Sequence, residues 1–147
     1  MKNLILIILL VLTTTCIFAQ SRQDQAQILQ KCIELQELQQ YYPLDANGNQ
    51  KPLIINYWHP VLFPTDLMVM NGGKNVEFRE MSAENNKNAE AYFLFKKFEV
   101  FPGSSLVKFD YSYNNADHLK AIEVTLELSK TLDEWEIANI HVSNKEQ

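Results

Sequence analysis

Three histidines, one cysteine outside the leading segment and a few dispersed carboxylates are the side chains of this chain with the most chemistry to offer, and their spacing restricts what they can do. His59, His118 and His141 lie far apart, with no short H-x-x-x-H or C-x-x-C spacing to gather the three or four ligands of a zinc site. No metal or cofactor is therefore expected. Asp45-Ala46-Asn47-Gly48-Asn49 is rich in oxygen donors, but an EF-hand loop needs glycine at its sixth position and a bidentate glutamate at its twelfth. Here Gly48 is fourth and Asn56 twelfth, so an Asn-Gly turn is the reading of that segment. G-x-S-x-G, H-E-x-x-H and phosphate-binding glycine patterns are absent.

The candidates that remain are local. His141 shares an alternating segment with Trp135, Ile137 and Asn139; were that face to line the hollow of a sheet, His141 would be the candidate acid or base, with Asn139 beside it. Trp58, His59 and Asp66 fall in the least regular third of the chain, Asn56 to Gly73, where a functional loop would lie. Tyr111 and Tyr113 alternate along a strand pattern, and with Trp58 or Trp135 they offer flat rings for a sugar, a peptide or another apolar ligand. The ligand-binding candidates are thus Trp58, His59, Asp66, Tyr111, Tyr113 and Asn139.

Positioning these groups is the task of the elements around them. Lys2, the apolar run Leu4 to Leu12 and Ala19 before a polar stretch have the layout of a secretory signal, predicting a leader over residues 1–19 and a single domain over 20–147. The apolar run is shorter than a bilayer-spanning helix requires. Export to a periplasmic or extracellular space follows, and a membrane enters only if Cys16 accepts a lipid. Removing the leader takes one lysine, making the remainder more negative than the −5 of the whole chain. An acidic chain whose only adjacent basic pair is Lys96-Lys97 is not expected to bind nucleic acid.

Ile28, Leu29, Cys32, Ile33, Leu35, Leu38 and Tyr42 recur at intervals of three and four, predicting one amphipathic helix over Ser21 to Tyr42 that ends before Pro43. Cys32 on that stripe reads as a small buried hydrophobe. From Val76 the period becomes two: strands are expected at Val76–Met81, Glu90–Phe101, Leu106–Tyr113, Ala121–Lys130 and Trp135–Val142. Their short connections imply antiparallel neighbours. The expected fold is α+β, one N-terminal helix packed on a curved antiparallel meander.

The order of elements, with the closing Asp133-Glu134-Trp135-Glu136-Ile137, resembles cystatin-like and NTF2-like α+β domains. The resemblance implies a shape; the glutamine-valine-glycine hairpin by which cystatins block proteases has no counterpart here. The function expected is that of an exported, non-catalytic binding or accessory domain for an unidentified small molecule or protein, using a helix–sheet groove or a strand edge. Its alternatives are a small NTF2-like enzyme with an acid or base in the sheet cavity, and a protein-binding inhibitor or immunity-like factor.

Overall fold

The computed structural model describes residues 22–64, 66–81, 89–115 and 118–145; the leader, Cys16, Ser21 and the connection Ser82 to Asn88 lie outside them. Helix α1 covers residues 22–33, and a short α2 follows at Gln36–Gln39. Strands are β1 (Ile54–Tyr57), β2 (Met70–Asn71), β3 (Lys74–Asn75), β4 (Glu77–Glu80), β5 (Ala91–Phe101), β6 (Ser104–Asn115), β7 (His118–Thr131) and β8 (Glu134–Lys145).

A single continuous helix is not what forms. Leu35 adopts an extended backbone (φ −60°, ψ 121°) and separates α1 from α2. The break lets Leu35, Leu38 and Tyr42 turn into the core together with Ile28, Leu29, Cys32 and Ile33, all of them buried. Carbonyls freed at the end of α1 find side-chain donors: the Tyr42 hydroxyl donates to Ile33 O at 2.6 Å, and Gln39 Nε2 to Glu34 O at 3.1 Å.

The sheet corrects the expected antiparallel meander. Its six strands run in the order β4-β1-β5-β6-β7-β8, and it is mixed, because β1 is parallel to both β4 and β5. A parallel pair needs a long crossover, and residues 58–76 supply the one from β1 to β4. Inside a sheet both faces of β1 are covered, which is why Leu53, Ile55 and Asn56 are all at most 2% exposed. The β2–β3 hairpin, turning through Gly72 and Gly73 at φ +55° and +78°, stands apart as its own small sheet.

On the helix side, Phe93 and Phe95 of β5, Val107, Phe109 and Tyr111 of β6, and Ile122, Val124, Leu126 and Leu128 of β7 are buried. Aromatic rings knit this layer, with Phe93 to Tyr111 at 4.8 Å and Phe95 to Phe109 at 5.1 Å between centroids. Two one-residue bulges reverse the alternation expected from sequence. In β5 the register shifts between Phe95 and Lys97, returning Phe98 to the side of Phe93 and Phe95. In β8 Ala138 is extra, since Leu128 pairs with Ile137 while the preceding Glu127 pairs with Asn139.

The β7–β8 connection is a two-residue turn, Leu132-Asp133, with both residues at positive φ (50° and 69°). That geometry fits the right-handed twist of the hairpin, but it favours Asn-Gly and costs leucine about 1–2 kcal/mol. Leu132 is 95% exposed, so packing offsets none of this cost. Leu132→Asn is expected to raise the unfolding free energy by about 0.5–1 kcal/mol in urea titrations. An equal or lower midpoint would show that the turn carries no strain.

Candidate functional site

Where β6 and β7 meet, beyond the end of α2, the Tyr41 and Tyr113 rings stack with centroids 4.5 Å apart and planes at 27°. Tyr111 stacks behind Tyr113 at 6.0 Å, and its buried hydroxyl donates to Tyr41 O at 2.9 Å. The Tyr41 backbone is thereby held against the sheet. Tyr113 is half-buried, and partial burial, reinforced by the neighbouring Tyr41 hydroxyl, shifts its phenol above the ordinary tyrosine value.

Open clefts lie on either side of the stacked pair. The first, about 670 Å³, is lined by Gln40 to Pro43, Glu90, Ala91, Tyr113, Asn114 and Asn115. The second, about 790 Å³, runs from Tyr41 and Tyr113 past His118, Leu119 and Lys120 to Asn144 and Lys145. Both lie within the usual size of small-molecule sites. Of the two lysines that line the second cleft, Lys120 shares the face of Tyr113, whereas Lys145 projects from the opposite face.

Sheet register makes this cleft. Tyr113 pairs with Lys120 and Ala121 with Lys145, which brings the ends of β6, β7 and β8 to one place. Lys145 is further fixed by a bond from its Nζ to Asp110 Oδ2 at 3.0 Å, spanning from β8 to β6. Asp110 is only 5% exposed, and its Oδ1 lies 2.6 Å from Lys96 Nζ, off the ideal hydrogen-bonding direction. Lys96 also reaches Glu123 at 3.0 Å. Partial burial works against the Lys96 charge, but the neighbouring carboxylates of Asp110 and Glu123 outweigh it and raise the ammonium above its ordinary value.

The residues singled out by sequence are brought together only in part. Tyr111 and Tyr113 are neighbours, but Tyr111 is fully buried and only Tyr113 reaches a cleft. Trp58 is 49% exposed, and His59 is exposed beside it, away from both clefts. Asp66 is exposed and paired with Arg22 at 2.7 Å. The bulge at Ala138 separates the face expected to be shared in β8: Trp135 and Ile137 lie on the helix side, whereas Asn139 and His141 lie on the opposite, exposed face. His141, opposite Thr125, is thus outside the interior of the sheet. Asp45 serves its turn, its Oδ1 accepting the backbone N–H groups of Asn47 and Asn49 at 2.9 Å each. The Asn49 bond is the main reason why its carboxyl sits below the usual range.

Tyr41 and Lys120 are the site residues that sequence reasoning missed. The doubled Tyr41-Tyr42 before Pro43 was the available signal, since a helical stripe needs only one of the pair. Among the described residues no helix is long and apolar enough to cross a membrane, and no three His, Cys, Asp or Glu side chains converge as a metal site would require. Comparison with family models, characterised proteins and solved structures finds no match to this chain.

Proposed function

We propose that this chain is an exported, non-catalytic binding domain whose ligand is a small acidic compound with a flat or ring-shaped face, such as an acidic sugar. One observation carries the reading: a cleft of about 790 Å³, walled by Tyr113, has the basic Lys120 on the same face of the sheet in a chain of net charge −5. The ring of the ligand stacks on Tyr113, its carboxylate meets Lys120, and Asn115 and Asn144 hydrogen-bond its hydroxyls. The helix-facing side of the sheet, where an enzyme of the alternative reading would carry its acid or base, is occupied by Phe93, Phe95, Phe109 and Val124.

Thermal shifts with uronic-acid oligosaccharides and their neutral counterparts test this. The acidic series should raise Tm saturably, less so at high salt, and the rise should vanish in Tyr113→Ala and shrink in Lys120→Gln. Lys120 is exposed, so its variant should keep the Tm of the free protein. Equal shifts from the neutral series, or shifts that survive both substitutions, would overturn the assignment.

A further inference from the structure

The two edges of the six-stranded sheet are guarded very differently. At one edge β4 is four residues long, and three of these, Glu77, Arg79 and Glu80, are charged. Short, charged edges resist pairing with another chain. At the other edge β8 is twelve residues long, hydrogen-bonded in the sheet to β7 alone, with no proline. Between Ile137 and Asn144 it carries no lysine, arginine, aspartate or glutamate, and Ile137 and Val142 are each 37% exposed. Among the described residues no other strand pairs with the backbone groups of β8 that do not bond β7.

We propose that β8 pairs antiparallel with the β8 of a second copy of this chain, joining two sheets edge to edge. The sequence of β8 is complementary to itself: Glu134 and Glu136 stand at its start and Lys145 at its end. Antiparallel pairing about a two-fold axis sets the acids of each copy against the lysine of the other. The bulge selects the register. With Ala138 and Asn139 together opposite one residue, as they are on the β7 side, the axis passes through Ile140.

In that register every pair falls on a matching face. On the helix side Ile140 meets its own copy, Ile137 meets Val142 and Trp135 meets Asn144. On the other face Glu134 meets Lys145, Glu136 meets Ser143, and Asn139 meets His141. The half-exposed apolar residues Ile137 and Val142 thus cover each other. A shift of one residue would oppose apolar and polar faces along the whole strand, so the register is specific. Isologous contact of this kind closes at two copies, because the far edge, β4, is guarded.

Sedimentation velocity of the purified protein across a range of concentrations tests the pairing. A concentration-dependent dimer is expected, with the backbone amides of Ile137 to Val142 gaining hydrogen-exchange protection as it forms. Glu134→Lys/Glu136→Lys places like charges against Lys145 at both ends and should weaken dimerisation at least about tenfold. Those side chains are exposed, so the fold should persist. Ile140→Lys, which sets two ammonium groups at the axis, should abolish the dimer. A protein that is monomeric at every concentration overturns the proposal. So does a dimer whose dissociation constant is unchanged in the Glu134→Lys/Glu136→Lys protein, or one that forms without protecting β8.

Discussion

Trp135→Ala is expected to lower the unfolding free energy by about 3–5 kcal/mol, the range for removing a large aromatic ring from a close-packed interior. Trp135 is 1% exposed at the start of β8, and its indole Nε1 donates to Asp24 Oδ1 at 3.0 Å. The same oxygen accepts from Lys130 Nζ at 2.8 Å, and that ammonium lies 5.9 Å from the indole centroid. Asp24 on α1 is thereby tied to both strands of the β7–β8 hairpin, with the side chains of Asp24 and Lys130 each only 15% exposed. Alanine leaves a cavity and removes one of the two donors to Asp24. For a domain of ordinary stability, about 5–15 kcal/mol, the loss is a large fraction of the total. Trp135→Phe should cost less, because it keeps most of the apolar burial and leaves the Lys130 to Asp24 pair in place. Urea titrations of both variants provide the check; a cost below about 1 kcal/mol for alanine would mean that the helix is anchored elsewhere.

The part of this architecture legible in sequence is the part with strong local periodicity. β6 and β7 alternate almost without fault, and they form close to where the pattern places them, extended at both ends by continued pairing. The bulges were not legible, because Lys96 and Ala138 carry no residue-type signature and an extra residue shows only when partners are counted across strands. That single missing fact reverses the side on which Asn139 and His141 lie. The break at Leu35 is similarly silent, since neither glycine nor proline marks it and the apolar spacing continues straight through. The parallel placement of β1 follows from long-range pairing, to which local pattern is blind. Of the candidate site, Tyr113 was recognisable as an aromatic with a polar end on an otherwise apolar face. The cleft beside it was not, because Tyr41, Lys120 and Asn144 are distant in sequence and meet only through the Tyr41–Tyr113 stack and the register of β6, β7 and β8.

Raising the pH above about 10 should destabilise the protein steeply, because three weak acids in its core are kept protonated by the fold. Burial is the first cause for each: it pushes the Cys32 thiol and the Tyr42 and Tyr111 phenols well above their ordinary values, with the Tyr111 and Cys32 neighbours adding to the shift of Tyr42. Both phenols also donate, Tyr42 to Ile33 O and Tyr111 to Tyr41 O, so ionisation would cost each its hydrogen bond. The sign of the effect follows from proton counts. At neutral pH all three groups are protonated whether the chain is folded or not, and they contribute no pH dependence. Above the unfolded values, about 8.5 for cysteine and about 10 for tyrosine, the unfolded chain releases protons that the folded chain retains. Stability therefore falls as pH rises, by about 1.4 kcal/mol per pH unit for each group and about 4 kcal/mol per unit for the three together. Urea titrations between pH 8 and 11 should show the slope steepening, from at most about 1.4 kcal/mol per unit while only cysteine ionises in the unfolded chain towards about 4 near pH 11, with the tyrosinate absorbance of Tyr42 and Tyr111 emerging only as the chain unfolds. Tyr42→Phe should remove about a third of the slope, since phenylalanine has no proton to lose. A stability that stays level to pH 11 would mean that these hydroxyls ionise within the folded protein, and that the layer formed by Tyr42, Tyr111 and Cys32 is open to water.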